Sequence, residues 1–191
     1  MIDAIVTIIN DSLKTVTLVD ARFKQPSLKG IAVLIPKDVT GNIPCICNNN
    51  GEGEYVGFDD IHSIRLYHKN NGSKTSFEVK DQSGPIDKYF TTKYDMSLMV
   101  MAKRTVVQMS AEQLDVLIST GILSPTKIKR EDFKLKSCSV KPVATNYNTA
   151  LILGQEYKGQ NISFEPNMIL FEIKYTIECT YNKDCIKTIC C

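Results

Sequence analysis

The chain has 191 residues, and its 23 Lys and Arg against 21 Asp and Glu leave a formal net charge of only +2. A balance this close excludes a global electrostatic attraction to nucleic acid or to anionic membranes. No apolar run approaches the ~20 residues that a membrane-spanning helix needs, so no membrane partner is expected. A chain of this length buries enough surface to form a single domain, residues 1–191, without disulfide bonds to hold it.

The N-terminal segment predicts an amphipathic helix. Its apolar residues recur every three or four positions and form one stripe, made of Ile2, Ile5, Val6, Ile9, Leu13 and Val16. The segment has no basic region and carries Asp3 in its first turn, so it does not predict a secretory signal. We therefore expect a protein that stays in a reducing cytosol, with its thiols reduced.

Extended structure is predicted in the next hundred or so residues. The apolar run GIAVLIP at 30–36 is typical of a short buried strand closed by a proline. Segments 62–69 and 75–80 alternate polar and apolar residues on either side of NNGS, which predicts a β-hairpin with Asn71-Gly72 near its tip. Residues 93–107 are apolar on both faces near their centre and predict a middle strand.

The C-terminal half predicts a capped helix and two further strands. Ser110 and Gln113 have capping-box spacing, and Gly121 is expected to end the helix that follows them. The segment FKLKSCSV predicts a strand. A longer alternation runs from Ile169 to Cys179 and predicts an antiparallel strand that is buried on one face and wet on the other.

These elements predict an α+β fold. It consists of a mainly antiparallel β-sheet with an N-terminal amphipathic helix and a second short helix packed on one face. Pro, Gly and Asn are concentrated between the elements, so long loops are expected near 37–60 and 80–93, with a loose hairpin as the alternative for the first, and a short flexible tail is expected at 182–191.

The seven cysteines raise the question of a metal site. Most lie near the C-terminus or in one CxC triplet: Cys179, Cys185, Cys190 and Cys191, with Cys45 and Cys47. Their spacings do not match the paired CxxC knuckles of structural zinc sites. Cys179 continues the apolar face of the last strand and is predicted to lie in the core. A small cysteine-metal-binding protein stays open as an alternative.

No residue pattern predicts catalysis. The sequence contains no GxSxG, HExxH, phosphate-loop or dinucleotide-binding motif. His62 and His68 lie ~20 Å apart on one predicted strand, too far to share a metal ion. We therefore expect no enzyme, no catalytic, cofactor-binding or metal-binding residue, and no cofactor.

Segment 127–141 concentrates lysine and arginine. It offers a second alternative, a nucleic-acid-binding accessory protein that tracks a phosphate backbone. Glu131 and Asp132 interrupt the charge, and no aromatic residues are interleaved as a stacking platform would require. This favours a solvated face, and no specific nucleic-acid binding is expected.

The order of the predicted elements has a counterpart among known proteins. Its parts are the helix at 2–16, a hairpin with a long polar connection, the capped helix SAEQLDVLI and the final strand ILFEIKYTIECTY. This arrangement resembles the small ring-forming proteins of tailed-bacteriophage necks, tail terminators and head-to-tail connectors above all. The Asn-, Ile- and Lys-rich composition is similar to that of neck proteins of crAss-like phages.

The resemblance implies a structural virion protein without catalysis. Identical subunits would pair through heterologous interfaces into a homo-oligomeric ring, six- or twelve-fold, that joins the portal and capsid vertex to the tail. Its neighbours would be portal, stopper or tail-tube proteins. The ring would assemble in the host cell cytoplasm and end in the neck or tail of the virion.

Overall fold

The computed structural model describes residues 2–16, 21–38, 41–47, 53–57, 61–79, 88–123, 135–158 and 167–182. Within these ranges the helices are α1 (Ile2–Val16), α2 (Arg104–Val107), α3 (Ala111–Leu123) and α4 (Thr149–Glu156). The strands are β1 (Ser27–Ile31), β2 (Val33–Asp38), β3 (Gly41–Cys47), β4 (Gly53–Tyr55), β5 (Ile64–Val79), β6 (Lys88–Lys103), β7 (Leu135–Asn146) and β8 (Met168–Asn182). The fold is α+β with a mainly antiparallel sheet and an N-terminal helix, which confirms the predicted class.

The strands form two sheets. The main sheet has the order β1-β5-β6-β8-β7, in which β1 runs parallel to β5 and every other neighbouring pair is antiparallel. A smaller antiparallel sheet has the order β2-β3-β4. The strand predicted at 93–107 is a middle strand, as expected, because β6 lies between β5 and β8; its last four residues turn into α2 instead.

One face of the main sheet is covered by α1 and α3. Alternate side chains of β5, β6 and β8 point to this face and pack against the apolar stripes of the two helices. Fully buried members from the strands include Leu66, Leu98, Val100, Phe171 and Ile177, and those from the helices include Ile5, Ile9, Leu13, Leu114 and Ile118. Each such side chain contributes about 1.5–3 kcal/mol of burial free energy, so this layer is the principal core.

The opposite face is also covered, by α4 and the smaller sheet. Tyr67, Met99 and Leu170 point to it and pack against Ile152 and Tyr157. The prediction of a wet face on the last strand is therefore only partly right. The residues beyond this cover, such as Lys174 and Glu178, are exposed, whereas Leu170 and Glu172 are buried.

The run GIAVLIP is not one buried strand. Its first part belongs to β1 and its second part to β2, and the chain changes sheet at Ala32, whose N–H donates to the His68 carbonyl at 2.8 Å. Because β2 is an edge strand of the smaller sheet, Val33 and Leu34 keep 49% and 40% of their surface exposed. An apolar run alone did not reveal this change of partner.

Parts of both expected loops are strands where the structure describes them. Within 37–60, β3 pairs with β2 on one side and with β4 on the other, so this segment forms antiparallel hairpin pairings, with Ile35 opposite Ile43. Within 80–93, residues 88–93 belong to β6. Most of the predicted tail at 182–191 lies outside the described residues, and Asn182 is the last residue of β8.

Asn71-Gly72 is a bulge rather than the tip of a hairpin. β5 runs through this dipeptide without interruption, and its partner in the hairpin is β6. The register shifts between Asn70 and Gly72, where Gly72 has a φ of 142° and its N–H donates to the Asn70 Oδ1 atom at 3.0 Å. Two-residue hairpin turns and bulges of the G1 type both favour a glycine with positive φ, so the sequence motif is compatible with either.

The capping box of α3 is present. The Gln113 amide N–H donates to the Ser110 Oγ atom at 3.2 Å, and the Ser110 N–H donates to the Gln113 Oε1 atom at 3.0 Å. Gly121 does not end the helix, which continues to Leu123. Gly121 is buried and its carbonyl accepts a hydrogen bond from the Ser12 hydroxyl at 3.1 Å, so this glycine lies at the contact of α1 with α3.

No helix in the described ranges is long and apolar enough to cross a membrane.

The Ser110 cap gives a direct test of the fold. Ser110→Ala should lower the free energy of unfolding by about 1 kcal/mol, because the Gln113 amide loses its acceptor. Ser110→Thr keeps a hydroxyl at the same place and should stay close to the wild-type value. Urea unfolding followed by circular dichroism measures both, and an alanine variant as stable as wild type would contradict the cap.

Candidate functional site

His68 lies at the centre of a polar network inside the principal core. Its side chain is fully buried on β5, and its two ring nitrogens have partners on different elements. The Nδ1 atom is 2.6 Å from the Tyr175 hydroxyl on β8, and the Nε2 atom is 2.9 Å from the Asn10 Oδ1 atom on α1. The network therefore joins the N-terminal helix to two strands.

The partners of Asn10 determine the tautomer of this histidine. The Asn10 Nδ2 group donates to the Lys29 carbonyl at 3.0 Å, which leaves Oδ1 as an acceptor. His68 must then carry its proton on Nε2, and Tyr175 must donate to Nδ1. Burial lowers the pKa of His68 from 6.5 to about 3, so the ring is neutral. His68 is held as a structural group, and no pattern in the sequence indicates this role.

A groove opens on the opposite face, where β1 passes into β2. Its volume is 360 Å³, and one wall is apolar while the other is polar. The apolar wall comes from the start of β2 and from β3, including Val33, Leu34 and Pro44. The polar wall comes from β5 and from the last residue of α4, namely Lys69, Asn70, Asn71 and Glu156.

The polar wall holds a partly buried ion pair. Lys69 Nζ binds Glu156 Oε1, and the exposed fractions of the two side chains are 19% and 4%. The other carboxylate oxygen, Glu156 Oε2, is sealed from solvent and accepts no hydrogen bond. An unsatisfied buried acceptor of this kind costs about 1–3 kcal/mol, so the groove contains a polar atom that lacks a donor.

A second polar network runs beside the groove. The Asn71 Nδ2 group donates to the Ser97 hydroxyl at 2.7 Å, and that hydroxyl donates to Glu172 Oε1 at 2.6 Å. The bulge in β5 makes this contact possible, because it turns the additional residue toward β6. Glu172 is held at the edge of the apolar cover rather than in water, which explains why an acidic residue is buried on the predicted wet face.

Cys138 and Cys179 are structural cysteines. Cys179 is fully buried in the principal core, as predicted. Its Sγ atom is 3.0 Å from that of Cys138, directly opposite on β7. The hydrogen bond between the two thiols and the burial of Cys138 raise the pKa of Cys138, so this thiol stays protonated and is a poor nucleophile or metal ligand. Cys45, Cys138 and Cys179 take part in no disulfide.

Other residues singled out in the sequence do not come together. Cys185, Cys190 and Cys191 lie outside the described residues, as does most of the basic segment 127–141. His62 precedes β5 and takes no part in the His68 network. Across the described parts of the chain, no three His, Cys, Asp or Glu side chains are grouped to hold a metal ion.

The chain matches no protein-family model, and no curated protein is significantly similar to it in sequence. Its function must therefore be inferred from its own residues and geometry.

The buried histidine predicts a pH dependence of stability. The pKa of His68 is 6.5 in the unfolded chain and about 3 in the folded protein. Between these two pH values only the unfolded chain binds the proton, so stability falls as the pH falls from 6.5 to about 3. At about pH 4.5 the loss from this one group is about 2.7 kcal/mol, at 1.36 kcal/mol per pH unit. Urea unfolding of wild type and His68→Gln at neutral and acidic pH measures it.

Glutamine is the matched variant, because it offers the same donor and acceptor without a titratable ring. His68→Gln should lose less stability on acidification than wild type, because the contribution of His68 is absent and only that of the carboxylates remains. If both proteins lost the same stability between neutral pH and about pH 4.5, the burial of a neutral His68 would be contradicted.

The same network predicts the effect of removing Asn10. Asn10→Ala leaves the His68 Nε2–H group without its acceptor in a dry site and should cost about 1–3 kcal/mol. Asp11→Ala is the control, because the neighbouring Asp11 side chain is 63% exposed and its loss should change stability by less than about 0.5 kcal/mol. Equal unfolding midpoints for the two variants in urea would refute the role given to Asn10.

Proposed function

We propose that the chain is a structural subunit that self-associates head to tail into a ring in the neck of a tailed bacteriophage. There it joins the portal and capsid vertex to the tail, in a tail-terminator or connector role, and performs no catalysis. The order of its elements along the chain supports the neck assignment. Two edges of the main sheet, along which no described strand pairs, carry the proposal of self-association.

The first of these edges belongs to β5. β1 accompanies β5 only as far as His68, and no other described strand pairs with this side of β5 beyond that point. Residues 70–76 are exposed. A long unpaired strand edge is a template for pairing with another chain, so this edge is available to a strand of a second copy.

The second edge belongs to β7, on the far side of the same sheet. Three antiparallel pairings separate β5 from β7, so these two strands run in opposite directions. If β7 of one copy followed β5 of the next, the sheet would continue as an antiparallel sheet, with α1 and α3 on the same side in every copy. Such a contact is heterologous and generates a ring when the rotation closes.

The outward-facing backbone groups of β5 can be assigned. His68 directs its carbonyl to the β1 side, where it accepts from Ala32. Backbone groups alternate between the two edges of a strand, and the bulge between Asn70 and Gly72 shifts this alternation by one residue. The N–H groups of Ser73 and Thr75 therefore point to the open edge.

A proline at Thr75 tests the proposed contact. Thr75→Pro removes an outward N–H while leaving the pairing with β6 intact, so it should shift the protein from ring to monomer. Thr75→Val is the control, because it loses the same hydroxyl contact with Thr92 but keeps the N–H, and it should still form rings. Native mass spectrometry of wild type and both variants gives the subunit number.

Circular dichroism checks that each variant is folded, and Ser73→Pro repeats the test at the next outward N–H. A wild-type protein that is monomeric at all concentrations would contradict the ring. A monomer that carries zinc and unfolds after chelation would favour the cysteine-metal alternative, and binding to DNA at low salt would favour the nucleic-acid alternative.

A further inference from the structure

We propose that the groove between β2 and β5 is a binding site for a short extended peptide segment of another protein, with a branched apolar side chain against Val33 and Leu34. The proposal does not depend on ring formation. It rests on the chemistry of the groove wall and on the position of the groove along β5.

The charges of the groove favour a neutral ligand. Lys69 and Glu156 neutralise each other, and both side chains are largely buried. A ligand with its own charge would place an uncompensated charge beside this pair, which is costly in a partly dry site. A neutral group avoids that cost.

The hydrogen-bonding groups of the groove match an extended peptide. Glu156 lines the groove, and its Oε2 atom is a buried acceptor without a donor. The Lys69 ammonium has three N–H groups, and Glu156 is its partner in the structure. A residue in an extended segment directs its own N–H and carbonyl to the same side, so it supplies a donor for the carboxylate and an acceptor for the lysine. An aromatic ring supplies neither group.

The backbone of β5 continues the match. β1 leaves β5 at the groove, after Ala32 has donated to the His68 carbonyl. Asn70 is two residues further along β5 and precedes the bulge, so its N–H and carbonyl point to the same edge. Asn70 lines the groove. An extended segment in the groove would therefore take the place next to β5 that β1 has vacated.

The apolar wall fits the side chain of such a segment. Val33 and Leu34 are 49% and 40% exposed beside Pro44. A volume of 360 Å³ is at the lower end of ligand pockets, so the site fits a few residues and not a folded domain. Val143 of β7 is exposed but lies at a bulge next to a proline, so β7 of a neighbouring copy is expected to pair with β5 at Ser73 and Thr75, beyond the bulge, and not to fill the groove.

The test is a titration of methyl-labelled protein (Ile, Leu and Val) with the blocked dipeptide acetyl-Val-Leu-N-methylamide, observed by methyl NMR. This method tolerates large oligomers. The methyl signals of Ile31, Val33 and Leu34 should shift saturably, with a dissociation constant in the millimolar range for so small a probe. Isovalerate and isoamylammonium carry the same apolar group with a negative or a positive charge and should shift them much less.

Matched variants locate the site. Leu34→Ser should weaken peptide binding about fivefold, since part of a leucine side chain loses its apolar contact. Leu151→Ser changes a leucine of similar exposure on α4 that does not line the groove, and it should bind as wild type does. Glu156→Gln should also weaken binding, and the unchanged methyl spectrum elsewhere would show that the variant is folded.

Three outcomes would overturn the proposal. The first is the absence of saturable shifts at the groove methyls with the dipeptide. The second is binding of the charged probes as tight as that of the dipeptide, which would show that the groove does not select a neutral ligand. The third is a shift of the same methyls with protein concentration alone, which would assign the groove to a second copy. None of these outcomes bears on the subunit number measured by mass.

Discussion

The constraint on which the structure depends is that the two central strands of the main sheet are apolar on both faces. β6 and β8 lie between other strands and present buried side chains in both directions, such as Leu98 and Met99 on consecutive positions. A sheet of this kind cannot leave either face in water. The amphipathic helices cover one face, and α4 with the smaller sheet covers the other, so the arrangement of every remaining element follows from this double burial.

The two faces are sealed by different chemistry. The helical face combines an apolar layer with one buried histidine, whose partners come from α1 and β8 and fix how the helix lies on the sheet. The opposite face is smaller and contains the polar groups that reach its margin, including the Lys69–Glu156 pair. The buried polar groups on the helical face therefore stabilise the fold, whereas those on the opposite face line a groove. The surfaces proposed for assembly lie at the edges of the main sheet and next to them.

The sequence predicted what is local and periodic. Three elements were predicted from the spacing of apolar residues in 2–16, the capping box at Ser110 and the alternation from Ile169 to Cys179. Each of these patterns depends only on residues of the element itself. The cover over Leu170 and Glu172 was not predictable, since it comes from segments distant in the chain. The groove was missed for the same reason: its walls join the turn at Ala32, β3, β5 and the end of α4. The prediction of a hairpin tip at Asn71-Gly72 was wrong because a tight turn and a bulge can use the same dipeptide, and only the pairing of β5 with β6 distinguishes them.

The bulge at Asn71 also determines where β5 can lose a residue without a change in its register with β6. Asn71 is the additional residue opposite β6, so its deletion would leave the pairs on either side, Asn70 with Met96 and Gly72 with Asp95, facing as they do now. A deletion elsewhere in β5 would turn every later side chain to the wrong face of the sheet. Position 71 is therefore a place in this strand where length can vary without exchanging core and surface, and the amide that reaches Ser97 is what such a deletion would remove.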